Sequence, residues 1–455
     1  MYMQKLVSTL VLLGSLLSSV IAWAKKPDIV VFLADDLSYA DISPNGSQNI
    51  ATPNFEAIAA AGMKFSNAFV VSPSCAPSRA ALLTGLYPIR TGAMFNHQAP
   101  AGEVKKWPAY FKELGYEVVA IGKVAHYAQV RDYGFDHTSH FKYHEDGGIA
   151  AAVEWLEKRE DSRPLCLIVG TNWPHVPWPA NSSVDAAALK LPATMVDSPE
   201  SRKAWSRYAE AVKRADHDAG LIYEAAKRKL GRNMLFLFSS DHGSQFPFGK
   251  WNAYDSGIHT PLIAVWPDHI KAGATTNAMV SWVDLLPTCL EAAGGEATHL
   301  DGRSFFGVIT GKSREHRDRV FVSHSGDGRQ NEYPIRAVRT DQFKYIRNLR
   351  PESEYHTNVD RAAGPEAYFP SWVRSAKTDD HARFLVSRYF RRPAEELYDV
   401  FADPDELVNL AADPRYGTVL AQLGESLDEH MKRTGDLGLD SERASKAQIT
   451  PTNRN

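Results

Sequence analysis

Cysteine is nearly missing from this sequence: three in 455 residues, Cys75, Cys166 and Cys289. So few, and an odd number, exclude a disulfide framework; a chain of this length must be held by its apolar core. An excess of one charge is missing too. Lys and Arg total 51 against 54 Asp and Glu, a net charge of −3, so no global basic field exists to hold nucleic acid or an anionic membrane. An anionic substrate would have to meet cations concentrated at one place. There is no internal repeat or low-complexity block, and beyond the first residues no apolar run is long enough to span a bilayer.

The amino terminus is the exception. "MYMQKLVSTLVLLGSLLSSVIAWAKK" places Lys5 ahead of an apolar run that ends in Ala22-Trp23-Ala24, the small-x-small pattern of signal-peptidase cleavage. Residues 1–24 read as a signal peptide, with an amino-terminal membrane anchor as the alternative, because the run approaches spanning length. The mature chain is then expected from Lys25 outside the cytoplasm: periplasmic or secreted, or lysosomal if the source is eukaryotic. No stable membrane partner and no nucleic acid are expected.

What is present in quantity is apolar material, 44% of residues, enough for one large domain or two unequal ones. Short runs rich in β-branched residues, "DIVVFLADD" (28–36), "EVVAIGK" (117–123), "LCLIVGTN" (165–172), "MLFLFSSDHG" (234–243) and "PLIAVWP" (261–267), read as strands buried on both faces. Helical patterns such as "NFEAIAAAG", "WPAYFKELG" and "AAVEWLEKRE" alternate with them. The alternation predicts an α/β sandwich over 25–318, a large mostly parallel sheet flanked by helices. From 319 to 455 the texture becomes "RVFVSHSG", "YPIRAVRTDQFKYIRN" and "EELYDVFADPDELVNLA", then a closing helix. This predicts a smaller carboxy-terminal α+β unit with an antiparallel sheet, and "SERASKAQITPTNRN" reads as a frayed tail.

Asp35-Asp36, Lys123, Asn172 to His175 and Asp241-His242 each follow a predicted strand, and sites in open α/β sheets form beyond the carboxyl ends of strands. Cys166 and Cys289 sit in strand-like and helical apolar runs, as small buried hydrophobes do. Cys75 sits in "SPSCAPSRAALLTG", ahead of a short helix with Pro77 near its start and Gly85 at its end. That is a helix amino terminus, where backbone donors and the dipole favour an anion.

The run Cys75-Ala76-Pro77-Ser78-Arg79 followed by Leu83-Thr84-Gly85 resembles the signature of the type I sulfatases of the alkaline phosphatase superfamily. The resemblance implies that a formylglycine-generating maturase oxidises Cys75 to formylglycine (3-oxoalanine), whose hydrated aldehyde is the nucleophile. Adjacent carboxylates such as Asp35-Asp36 are costly unless a cation sits between them. With Asp241-His242 of "SSDHG" they resemble the family's calcium site, to which Cys75 contributes after conversion. Oxygen-rich ligation suits one Ca2+ per chain, with Mg2+ or Mn2+ as alternatives. "GKVAHY" supplies Lys123 and His126, "NWPHVPWP" supplies His175 and "FGKWNAYDSG" supplies Lys250, in the family's chain order. The implied roles are these: Arg79, Lys123, Lys250 and the metal hold the sulfate oxygens; His175, with Lys250, protonates the leaving group; His126 takes a proton from the remaining hydroxyl.

The carboxy-terminal segments "EYPIRAVRTDQFKYIRN" and "RRPAEELYDVFADPDELVNLAADPR" are similar to the second domain of the heparan N-sulfatase (sulfamidase)-like group. The substrate implied is a sulfated saccharide, heparan-type N-sulfoglucosamine or an algal galactan or ulvan fragment, attacked from a chain end. His97, Tyr254, Asp255, His259, His324 and Arg336 are the expected sugar contacts, His259 standing where many relatives carry Arg. Two other readings remain: a phosphonate or phosphate ester hydrolase of the same superfamily, and a sulfoglycan-binding protein without turnover.

Overall fold

The computed structural model of the chain describes residues 26–140, 148–327, 331–364 and 367–448. The expected signal peptide lies outside the described residues. Among them, no helix is long and apolar enough to cross a membrane.

The strands before residue 319 are β1 (Asp28–Asp35), β2 (Met63–Phe65), β3 (Ala68–Phe69), β4 (Glu117–Gly122) and β5 (His137–Ser139). They continue with β6 (Leu165–Pro174), β7 (Met234–Ser240), β8 (Leu262–Val265), β9 (Ala274–Thr276) and β10 (Val280–Ser281). Eight of them form one sheet in the order β5-β4-β6-β1-β7-β8-β2-β9, and β3 pairs with β10 apart from it. Every residue of β1 and β7 is buried, which is why these runs carry no polar alternation. Helices Pro53–Ala61, Gly148–Lys158 and the 32-residue Pro199–Leu230 cover one face. Cys75–Thr84, Trp107–Glu113 and Leu285–Ala292 cover the other.

The stretch 261–267 forms a buried strand, as its apolarity predicts, but β8 runs antiparallel to β7. The chain leaving β7 stays at the carboxyl edge through Lys250, so the next strand must start there and run back. The sheet is therefore mixed, with the β5-β4-β6-β1-β7 portion parallel.

The carboxy-terminal sheet is antiparallel: β11 (Arg319–His324), β12 (Ile335–Thr340), β13 (Phe343–Asn348) and β14 (Glu395–Asp399), in that order. Helix Gly417–Thr434 packs on it. The apolar cluster beneath that helix joins Phe321, Val338, Tyr345, Leu397 and Leu427 to Val71, Ala81 and Val283. Ala81 belongs to the helix that begins at Cys75, so the second sheet buttresses the back of that helix.

The polar tail does not fray where it was expected to. Leu439–Ala447 is a helix with Ser441, Glu442 and Ser445 buried, and residues 449–455 lie outside the described ones. Its composition misleads because its polar groups face partners. Glu442 Oε1 accepts from Arg336 Nη2 at 2.7 Å and from Ser325 Oγ at 2.8 Å.

His430 illustrates how this unit couples to pH. It lies flat on Phe321 at 3.9 Å with Tyr87 edge-on at 4.6 Å, and burial draws its pKa down to about 3. The unfolded chain therefore binds a proton that the native chain refuses, and stability falls as pH drops below about 6.5. At pH 5 this one residue costs on the order of 2 kcal/mol relative to pH 8. Denaturant titrations at the two pH values are expected to show a smaller acid penalty in His430→Gln than in the parent.

Candidate active site

The site grows from the carboxyl ends of β1, β4, β6 and β7. The parallel register sets Ala34 beside Ser240, which brings Asp35 and Asp36 against Asp241. Asp36 takes a left-handed conformation, φ 68°, which Asp tolerates better than most side chains. Two bonds hold it there: Asp36 N–H donates to Asp241 Oδ1 at 3.0 Å, and Leu37 N–H donates to Ser240 Oγ at 3.0 Å. Between β4 and β6, Gly122 and Gly170 face each other so closely that a Cβ on Gly122 would lie 2.1 Å from the Gly170 carbonyl oxygen. Only glycine lets the chain cross there and turn Lys123 inward.

Helix Cys75–Thr84 is buried along its whole length and closes at Gly85, φ 68°, whose N–H donates to Ala81 O. Its amino end is held by the Asn96 side chain, whose Oδ1 accepts from Ala76 N at 2.9 Å, and Ser78 Oγ donates to Asp241 O at 2.6 Å. Arg79, wholly buried, bridges two carboxylates: Nε to Asp241 Oδ2 at 2.8 Å and Nη2 to Asp35 Oδ1 at 3.2 Å. A third donor, Nη1, meets the Lys123 carbonyl. Lys123 pairs with the other oxygen of Asp35, and Lys250 clasps both oxygens of Asp36 at 2.8 and 2.9 Å.

Cys75 Sγ lies among these groups, 3.2 Å from His242 Nε2, 3.8 Å from Lys123 Nζ, 3.9 Å from Asp35 Oδ1 and 4.0 Å from Asp36 Oδ1. Burial pushes its thiol pKa far up, so the side chain rests as a neutral thiol. Burial also separates the adjacent carboxyls. Asp36 is pushed up to about 7, with Asp35 and Asp241 adding to burial and Lys250 opposing. Asp35 lies well below the usual range because Lys123, foremost among its cationic neighbours, overcomes burial.

Atoms of Asp36, Cys75, Asp241 and His242 all lie within 4.8 Å of one another. Two ligands each about 2.4 Å from one ion can be no further apart than about 4.8 Å, and these four meet that requirement for a shared Ca2+-sized cation. His242 fits this use. Burial draws it down to about 4, and its Nδ1 faces the Gly243 carbonyl at 3.0 Å. A neutral ring with Nδ1–H on that carbonyl turns the Nε2 lone pair toward Asp36 at 3.4 Å and Asp241 at 3.6 Å. A lone pair facing two carboxylates is repelled unless a cation stands among them. Asp35, with Oδ1 3.9 Å from Cys75 Sγ, pairs with Arg79 and Lys123 through its two oxygens.

An open cleft of about 550 Å³ ends on Cys75. His97, His126, His175, Lys250, Trp251 and Asp327 are among its walls. His175 points Nε2 at Asp36 Oδ2 from 3.8 Å and sets Nδ1 on the Val176 carbonyl at 2.6 Å. The sequence-derived core, Asp35, Asp36, Cys75, Arg79, Lys123, His126, His175, Asp241, His242 and Lys250, thus converges on one place.

The expected sugar contacts mostly do not. Tyr254 is buried and donates to Glu396 Oε2 at 2.6 Å; Asp255 is paired with Lys344 and Arg339. His324 is buried against Ser74, and Arg336 is buried between Asp436 and Glu442. His259 is stacked between Tyr39 and Phe69 with Nε2 on the Ser66 carbonyl, lining a separate cavity of about 390 Å³. These five lie outside the walls of the cleft, and Tyr254, Asp255 and Arg336 spend their polar groups on internal partners. His97 alone of the six reaches the cleft. Asn96 and Asp327 were missed: an Asn after a Phe and an Asp in a Gly-rich loop carry no spacing signal.

A family model described as sulfatase matches residues 27–295, and one described as N-sulphoglucosamine sulphohydrolase, C-terminal, matches 243–369. An ulvan-active sulfatase of Formosa agariphila is 29% identical over 437 residues, covering 93% of this chain and 83% of its own. Human N-sulphoglucosamine sulphohydrolase is 28% identical over 469 residues, covering 91% of each. Among solved structures, a protein in complex with its substrate D-glucosamine-2-N,6-O-disulfate has a TM-score of 0.67 at 20% identity, covering 91% and 99%. The phosphonate monoester hydrolase of Silicibacter pomeroyi has a TM-score of 0.69 at 19% identity, covering 91% and 97%. With the sulfatase model spanning more than half of its length, the chain belongs to the sulfatase family and is a sulfuric ester hydrolase.

Proposed function

We propose that this enzyme removes sulfate from the end of a sulfated saccharide, outside the cytoplasm, using Cys75 converted to formylglycine. The observation that carries this reading is the buried Cys75 surrounded by Arg79, Lys123 and Lys250 on one hand and the Asp36, Asp241 and His242 ligand group on the other. Around the neutral thiol stand three carboxyl groups, Asp35, Asp36 and Asp241, and three cations, Arg79, Lys123 and Lys250, so acidic and basic groups are equal in number. A divalent cation, which the ligand group fits, supplies when bound the net positive charge that attracts a sulfate ester and withdraws charge from its oxygens. The hydrated aldehyde of formylglycine supplies a hydroxyl nucleophile and a second hydroxyl through which the residue is later released.

The chain's own residues do the rest. Arg79 fixes Asp35 and Asp241, and hence the spacing of everything above them. Lys123 and Lys250, both held protonated by their carboxylate partners against the pull of burial, present charge to the anion in a site that excludes most water. His175 rests neutral, drawn well down by burial, Lys250 and Lys123. A bound anion offsets part of that field and raises the proton affinity of His175 Nε2, which delivers its proton to the leaving oxygen or nitrogen. His126 receives the proton that release requires. The cleft above Cys75, about 550 Å³ and open to solvent, has room for a saccharide. The names of the relatives support ulvan-type or N-sulfoglucosamine-containing substrates.

The solved phosphonate monoester hydrolases of like fold keep phosphorus esters as the second reading. Matched aryl sulfate and phosphonate esters separate the two, and a panel of defined sulfated saccharides follows. Mass spectrometry of the Cys75 peptide is expected to show the aldehyde or its hydrate. Turnover by a preparation whose Cys75 is entirely thiol would overturn the mechanism, and faster phosphonate than sulfate cleavage would overturn the substrate class.

A further inference from the structure

On the wall of the cleft, His126 does not stand alone. Its Nε2 lies 2.7 Å from His97 Nδ1, the rings meeting edge to face at 4.6 Å. His97 Nε2 lies 2.9 Å from Asp327 Oδ1. Asp327 is anchored through its other oxygen, which accepts from Asn96 Nδ2 at 3.1 Å, the same Asn96 that caps the Cys75 helix. His97 takes a left-handed conformation, φ 71°, with its carbonyl fixed by Gln129 Nε2 at 2.9 Å. A non-glycine residue keeps such a conformation only where its surroundings impose it.

We propose that Asp327 and His97 fix the tautomer of His126 and carry away the charge it gains, making its Nδ1 the base that takes the hydroxyl proton. This deepens, and rests on, the sulfatase reading of the site. The logic runs along the chain of bonds. An ionised carboxylate only accepts, so His97 donates Nε2–H to Asp327, and the neutral ring, the state the proposal assigns it at rest, keeps its lone pair on Nδ1. That lone pair accepts from His126 Nε2–H. His126 Nδ1 is then the bare nitrogen, and it is buried with no hydrogen-bond partner.

The surroundings decide where a proton's charge can rest. Burial draws His126 well down, and the cations Lys123 and Arg79 add to it while Asp35 opposes; Lys250 and His175 line the same cleft. An imidazolium held there would face three cations. When Nδ1 accepts a proton, His126 can pass its Nε2 proton to His97 Nδ1. His126 is then neutral again with its proton on Nδ1, and His97 is an imidazolium whose Nε2–H still bonds Asp327. No proton is gained or lost beyond the one accepted. The charge has moved one ring further from the lysines, onto the partner of a carboxylate.

The test has a spectroscopic and a kinetic arm. In 15N-histidine-labelled full-length protein with Cys75 unconverted, the His126 ring is expected to show a bare Nδ1 and a protonated Nε2, assigned by its loss in His126→Gln. In Asp327→Asn, which keeps shape but not charge, the two tautomers are expected to mix. A wild-type ring carrying its proton on Nδ1 would overturn the proposal. In matured enzyme, Asp327→Asn and His97→Gln are each expected to lower kcat on a sulfate ester about 10²-fold, with KM changing less than about threefold. The acid limb of the kcat profile should shift with them, since the charge on His126 then has no second resting place. A large rise in KM at unchanged kcat would make the pair sugar contacts and also overturn it. Wild-type enzyme that fails to cleave any sulfate ester would sink the sulfatase reading, and the spectrum would still decide the tautomer.

Discussion

Cys75→Ala is expected to lower sulfate-ester turnover by about 10⁴-fold or more relative to the matured enzyme while leaving the melting temperature within a few degrees. On the proposed mechanism, an alanine methyl group lacks the thiol whose oxidative loss turns Cβ into the aldehyde carbon, so no nucleophile can form. Yet Sγ makes only long contacts, the nearest at 3.2 Å to His242, so little of the fold depends on it. The sharper comparison is with chain that keeps the cysteine unconverted. The thiol is pushed far up by burial despite Lys123 and Lys250 beside it, and a neutral thiol is a poor nucleophile. Unconverted enzyme is therefore expected to be as inactive as the alanine variant. Across preparations, activity should scale linearly through zero with the aldehyde fraction measured by mass spectrometry. A positive intercept at zero aldehyde would mean that the thiol itself reacts.

Arg79→Leu is expected to damage folding as well as chemistry. The guanidinium is wholly buried and serves Asp35, Asp241 and the Lys123 carbonyl together. Its loss leaves two carboxylates without their shared cation, a class of change that costs about 3–5 kcal/mol. Urea denaturation should show a lower midpoint at unchanged slope, and soluble yield should fall. Arg79→Lys is expected to recover little, because one ammonium cannot bond two carboxylates and a carbonyl in fixed directions. A normal midpoint in Arg79→Leu would show that Asp35 and Asp241 do not need this partner.

Much of this arrangement is legible in the sequence because it rests on short-range rules. Near-continuous apolar runs identify the buried strands, and polar residues directly after them must lie at the carboxyl edge. Asp36, Lys123, His175 and Asp241 follow from that rule alone. The direction of β8 does not, since it depends on where the Lys250 loop travels. Nor does the fate of Tyr254, Asp255, His324 and Arg336. A polar side chain near a motif looks the same in sequence whether it faces a cleft or an ion pair contributed from far along the chain, as Glu396, Lys344 and Glu442 show. The helix Leu439–Ala447 is hidden for the same reason: its polar residues are satisfied by the fold rather than by water. Asp327 is invisible because its meaning lies in His97, 230 positions earlier (327 − 97).

That last helix has a consequence in time. Ser445 exchanges two hydrogen bonds with Gln98 across 347 residues of chain, and Gln98 Oε1 in turn holds Phe95 N–H at the base of the loop carrying Asn96 and His97. The wall of the cleft is thus latched by a segment synthesised long after Cys75. Cys75 is 1% exposed once the fold has closed, so the proposed conversion would require that a maturase reach it earlier, while the chain is still open. On that reading the late latch is the step after which the finished structure would seal the converted residue away from its maturase.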